Sequence, residues 1–195
     1  MARAQRPTRC SVGRASHGVT ATEGKDDRAG ARVYSDRRTP MTTPPANDPL
    51  LADLDQVVQE TLAYFDGPGR TTTARVDRWH ARDVLMHFIY FHDATAWGIQ
   101  SVALGGPPWP VPANSDVVND VCRHLHEHEN LDDLLAQVRQ AHARLMRAAR
   151  QAPDLDKPCF QRSTGESMTG RQRLEVLARH WTEHVQELKE AAKGQ

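Results

Sequence analysis

His180 and His184 stand four residues apart in the run His180-Trp181-Thr182-Glu183-His184, inside the best helical pattern of the chain. On an α-helix that spacing places two imidazoles on one side, one turn apart. Two neutral imidazoles held this way can grip one divalent metal and need only one or two further ligands. Far upstream, a second long helical pattern carries His87 and His92. A third ligand from there makes a three-histidine site between two helices. Glu183 falls on the opposite side of its helix and reads as solvated. The segment is therefore not the His-Glu-x-x-His of a metalloprotease.

The elements that must position these residues are helices. One pattern runs over about 48–66, with Pro49 at its first position and Leu50, Leu54, Val57, Val58, Thr61, Leu62 and Phe65 on one face. Gly67-Pro68-Gly69 stops it. A second runs over about 77–104, with Val84, Leu85, Phe88, Phe91, Thr95, Ile99 and Val102 toward the core. The Gly- and Pro-rich stretch 105–112 then forms a stiff, extended loop. A short helix is expected from Ser115 or Asp116 to His126, and a third long one over about 130–151. Residues 152–168 show no clear period and read as a polar linker. The last helix opens on Thr169-Gly170-Arg171-Gln172, a capping-box pattern, and continues through Leu174, Leu177, Trp181, Val185 and Leu188. Strand signals are almost absent apart from Arg75-Val76. These patterns predict an all-α four-helix bundle with a long crossover loop and a short extra helix between the second and third long helices.

Bulk properties bound the function. The chain has 195 residues and a formal net charge of zero. Residues 1–40 carry nine Lys/Arg against four Asp/Glu, so the remainder is acidic by the same amount. Residues 1–46 read as a disordered leader without large apolar residues. Its acidic residues argue against a transit peptide, and a start assigned upstream of Met41 is the favoured account. The patterned domain is expected over 47–192. No apolar run approaches the length of a membrane span, and none reads as a signal peptide. Cys10, Cys122 and Cys159 fit neither a disulfide framework nor a zinc knuckle, so a reducing cytoplasm is the default. An acidic folded region argues against nucleic acid as a partner. Homodimerisation suits a small bundle but has no signature in the sequence.

The histidines differ in placement. His180 and His184 share one flank of the last helix, where side chains point into the groove against a neighbour. In the second helix, periodicity favours His92 as the buried group and puts His87 on the flank. A core histidine satisfied by a hydrogen bond is the alternative for either. His124, His126 and His128 read as a solvated helix end. Cys122 and Cys159 have no base or cation beside them in sequence. Trp79, Trp97, Trp109 and Trp181 read as core or rim aromatics. Arg82 and Arg171 lie near helix starts and could meet a substrate carboxylate, or simply be solvated.

Three passages together resemble the DinB-like superfamily. They are Trp79-His80-Ala81-Arg82-Asp83-Val84-Leu85-Met86-His87-Phe88, Asp116-Val117-Val118-Asn119 and His180-Trp181-Thr182-Glu183-His184. The likeness is to the N-terminal domain type of mycothiol-dependent maleylpyruvate isomerase and to ClbS/DfsB-type relatives, with Phe88 where the family usually has Leu. The resemblance implies a metal held by His87, His180 and His184. His92, Asn119 and Trp181 would then line the pocket or support the ligands. It implies a divalent ion, zinc or nickel first, and a low-molecular-weight thiol of the mycothiol or bacillithiol type as co-substrate. The implied activity is a metal-dependent transferase or isomerase acting on a small molecule. Relatives lacking the histidine set imply the alternative, a metal-free small-molecule binding or self-resistance protein.

Overall fold

The computed structural model describes residues 48–76, 79–112 and 114–193. The expected leader therefore lies outside the described residues. The elements run α1 (Pro49–Asp66), a 3-10 turn (Pro68–Thr71), β1 (Arg75–Val76), β2 (Trp79–His80), α2 (Ala81–Ala103), β3 (Trp109–Val111), α3 (Ser115–Leu125), α4 (Leu131–Gln151), β4 (Pro158–Arg162), β5 (Ser167–Thr169) and α5 (Gly170–Lys193). The architecture is all-α, with a two-stranded ladder at the start of α2 and a separate three-stranded sheet against its C-terminal part.

Four long helices close a ring in which α1 packs on α4, α4 on α2, α2 on α5 and α5 on α1. Each contributes an apolar face to one core. Leu54, Val58 and Phe65 of α1 are fully buried, as are Leu85 and Phe88 of α2. Leu134, Leu135 and Leu145 of α4 and Leu174, Leu177, Trp181 and Leu188 of α5 complete it. Because α1 and α2 stand diagonally, the chain crosses the end of the bundle between them. The crossing uses the 3-10 turn and the β1–β2 ladder, in which Arg75 faces His80 and Val76 faces Trp79.

Capping residues set the helix starts. Asp48 accepts the N–H of Leu50 at 3.0 Å ahead of Pro49. Asn130 accepts the N–H of Asp133 at 2.9 Å to open α4. Thr169 and Gln172 form the expected reciprocal pair, at 3.0 and 3.2 Å. The second helix corrects the sequence reading. It begins at Ala81 rather than near 77, because the Asp83 carboxylate accepts the His80 N–H at 2.9 Å while Trp79 and His80 pair as a strand.

The larger correction concerns 105–112 and 152–168, expected as loop and linker. Both supply strands. Trp109–Val111 runs parallel to β4, with Trp109 opposite Phe160 and Val111 opposite Arg162. β5 pairs antiparallel to β4. Gly98 explains the docking of this sheet on α2. A Cβ there would overlap the carbonyl oxygen of Cys159, so only glycine lets β4 lie against the helix. The sheet roofs one end of the groove between α2 and α5.

Candidate metal centre

His87 projects from α2 into that groove, and His180 and His184 project from α5. One nitrogen from each of the three rings lies within 4.8 Å of the others. The ring centroids are 5.3 Å apart for His87 and His180, 5.2 Å for His87 and His184, and 4.3 Å for His180 and His184. Among the described residues no other trio of His, Cys, Asp or Glu converges in this way. A tetrahedral ion bonded at about 2.0–2.1 Å to each nitrogen sets the nitrogens roughly 3.4 Å apart. Small ring rotations close the difference.

Burial determines the charge state of the cluster. His87 is only 4% exposed. Desolvation, reinforced by the neighbouring His184 and His180, pushes its pKa well below the ordinary imidazole value. The main-chain carbonyl of Asp83 works weakly in the opposite direction. His180 is lowered to about 4, first by burial and then by His184. Both rings are therefore neutral at pH 7, the form that ligates metal. Neither nitrogen of His87 has a hydrogen-bond partner, a costly state for a buried ring unless something else coordinates it.

Glutamates three residues on support the α5 pair. The Nδ1 of His184 meets Glu187 at 3.0 Å, and that of His180 lies 3.9 Å from Glu183. A carboxylate at Nδ1 fixes the ring and leaves Nε2 for a ligand bond. Glu183 is exposed, as the sequence suggested, yet it faces His180 and Arg179 as well as solvent. The His-x-x-Glu repeat was a legible signal for Glu187.

His92 is not part of the cluster. It is fully buried deeper along α2. Its Nε2 accepts the indole N–H of Trp181 at 2.7 Å, and its ring faces His142 at 5.4 Å. Trp181 stacks on Phe88 with centroids 3.5 Å apart, behind the histidines rather than beside a ligand. Asn119, on α3, does line the cavity in front of the trio, and its Oδ1 is buried without a partner.

Arg82 and Arg171, singled out as carboxylate-binding candidates, are both absent from that cavity. Arg82 donates to the main-chain oxygens of His126, Glu127 and Glu129, the shortest at 2.6 Å. Arg171 pairs with Asp48 and Asp156, each at 3.2 Å. The arginines that line the cavity are Arg162 and Arg173. Arg173 stands on the same apolar face of α5 as Leu177, where a charged residue is out of pattern. Cys122 and Cys159 are buried, and desolvation pushes each thiol up to about 11. Neither lines the cavity, whose volume is about 310 Å³.

The chain superposes on the crystal structure of a histidine-to-alanine mutant of the mycothiol-dependent maleylpyruvate isomerase with a TM-score of 0.59. The chain shares the isomerase's fold. Sequence identity is 15%, and the match covers 72% of this chain and 59% of the isomerase. The structural match agrees with the resemblance carried by the three sequence passages. No protein-family model and no curated protein matches the sequence. No described helix is long and apolar enough to cross a membrane.

Proposed function

We propose that the chain is a metal-dependent transferase or isomerase that joins a low-molecular-weight thiol to chemistry on a small molecule. The observation that carries this reading is the convergence of three histidine nitrogens within 4.8 Å, one ring doubly unpartnered and buried. His87, His180 and His184 would hold a divalent ion, zinc or nickel first among those that imidazole suits. With three protein ligands a coordination position stays open, and an ion so held lowers the pKa of a bound thiol or water. Neither Cys122 nor Cys159 supplies the thiol, because both are buried and protonated. Dependence on mycothiol in the isomerase of like fold supports that assignment.

The protein's own groups supply positioning and exclusion of water. Glu187 orients His184 through Nδ1. Phe91, Phe160 and Trp79 give the cavity apolar walls beside the histidines. The metal reading gives one nitrogen of the buried His87 ring a partner, which a metal-free binding protein must find in its ligand instead.

Elemental mass spectrometry of the full chain, purified without a histidine tag, tests the reading. Near-stoichiometric zinc or nickel is expected, lost in His87→Ala and in a His180→Ala/His184→Ala double variant that remain folded. Absence of metal after incubation with either ion would overturn it.

A further inference from the structure

The cavity in front of the histidines is lined by two arginines and three histidines and by no Asp or Glu. That composition runs against the acidic balance of the folded region. Arg173 is the unusual member. It is 6% exposed, and its Nε is buried without a hydrogen-bond partner. Among the described residues no carboxylate pairs with it. Its guanidinium lies 4.2 Å from the centre of the Phe160 ring and 5.8 Å from that of Phe91. Ring faces hold a cation in place but do not satisfy its N–H donors. Burial first, and then the charge of Arg162 on β4, disfavour protonation of Arg173; Arg162 itself faces the exposed Glu166 at 3.8 Å.

An isolated buried guanidinium is costly and is retained where a ligand completes it. A planar fork of N–H donors matches a carboxylate in bidentate fashion. We propose that Arg173 is the carboxylate-binding residue of the substrate pocket, so that the small-molecule substrate is a carboxylic acid. Arg173 stands seven residues before His180, about 10 Å along the helix axis. The substrate therefore carries its carboxylate at the roofed end of the cavity and its reacting centre at the histidine end. Asn119 Oδ1, also unpartnered there, is placed to accept a hydrogen bond from a hydroxyl or N–H of the same molecule.

This inference names the substrate class of the site proposed above and rests on that cavity being the substrate's. Its test is independent of metal. Isothermal titration calorimetry on the full chain, metal-stripped and zinc-loaded, would compare benzoate with benzamide, its neutral isostere, and with phenyl phosphate. Benzoate is expected to bind at least tenfold more tightly than benzamide in both forms. Arg173→Met should remove that preference while its melting temperature is unchanged or raised, since no ion pair is lost. In the wild type, benzoate but not benzamide should shift one arginine Nε–H resonance, which keeps the test valid if the variant misfolds. Equal affinity for acid and amide, or a preference unchanged in Arg173→Met, overturns the inference. Selective binding of phenyl phosphate also overturns it, in favour of phosphate esters. Intact benzoate selectivity in a protein that binds no metal would instead overturn the metal reading alone.

Discussion

The indole N–H of Trp181 donates to Nε2 of His92 across 2.7 Å, joining α5 to α2 inside the core. The bond does two things. It occupies one of the two ring nitrogens of His92, the one directed at α5. It also fixes the residue between His180 and His184, and so the rotation of α5 that aims both rings at His87. Trp181→Phe leaves a buried acceptor unpaired and opens space against Phe88, so a loss of about 2–4 kcal/mol is expected. His92→Leu strands the indole donor instead. A double-mutant cycle read by urea denaturation should give a coupling of roughly 1–2 kcal/mol between them. Additive losses would show that the bond is incidental.

Buried histidines give stability a direction in pH. Burial holds His92 well below the ordinary imidazole value, with His142 and Arg173 facing it and adding repulsion. The unfolded chain takes up a proton near pH 6.5 that the folded ring refuses. Stability is therefore full above about pH 6.5 and falls as the pH drops below it, by up to about 1.4 kcal/mol per pH unit for one such group. His142 acts in the same direction, first through burial, against the pull of Asp55. Asp55 itself is lowered by His142, so its contribution persists until the pH falls below the ordinary carboxylate range. His92→Gln removes one titrating ring, and its melting temperature should decline less steeply than the wild type's between pH 6.5 and 5. Parallel slopes would assign the acid sensitivity elsewhere.

Much of this was legible in the sequence. Helix spans followed from apolar periodicity, and the caps at Asp48 and Thr169 were visible as residue types in place. Periodicity set His92 at the buried centre of α2 and His87 on its flank, but both are buried in the fold and only packing decides that His87 meets the α5 histidines while His92 meets Trp181. The three-stranded roof was illegible for a related reason. Trp109–Val111 and Pro158–Arg162 pair across the whole of α3 and α4, and short strands with prolines carry no local period. Arg173 carries no such signal, because a charge on an apolar face only interrupts the helix pattern, whereas Arg82 and Arg171 stand at helix starts where anions often bind.

The roof depends on one glycine. Gly98→Ala places a methyl group into the Cys159 carbonyl, and β4 must move away from α2. A destabilisation of about 1–3 kcal/mol is expected from overpacking against backbone. Phe160 and Arg162 ride on β4, so the cavity should change as well. Crystal structures and denaturation of this variant would check both. An unmoved strand with wild-type stability would refute the role of Gly98.

Glu187 should tune the metal centre without being a ligand. Its carboxylate sits 3.0 Å from His184 Nδ1, and Glu187→Gln keeps a hydrogen-bonding group while removing the charge. Loss of such a partner ordinarily weakens metal affinity 10–100-fold. Competition against a chelator should show a shift of that size in Glu187→Gln, with stoichiometry at saturation preserved. A smaller shift is expected for Glu183→Gln, because Glu183 stands 3.9 Å from His180 and is shared with Arg179. Equal affinities for wild type and Glu187→Gln would remove Glu187 from the site.

Arg82 and Arg171 should matter to stability and not to ligand binding. Arg82 gathers three carbonyl oxygens in the turn after α3, of which that of His126 also accepts the Glu129 N–H at 3.1 Å. Arg82→Ala frees them and should cost about 1–2 kcal/mol, given the strength of hydrogen bonds from charged donors. Arg171 ties the start of α5 to Asp48, the residue that caps α1. Its side chain is 39% exposed, so water screens much of the attraction and a loss on the order of 1 kcal/mol is expected for Arg171→Ala. Denaturation midpoints measure both losses. Benzoate titrations on the same variants should match the wild type, and a tenfold loss in either would return that arginine to the list of substrate-binding groups and weaken the case for Arg173.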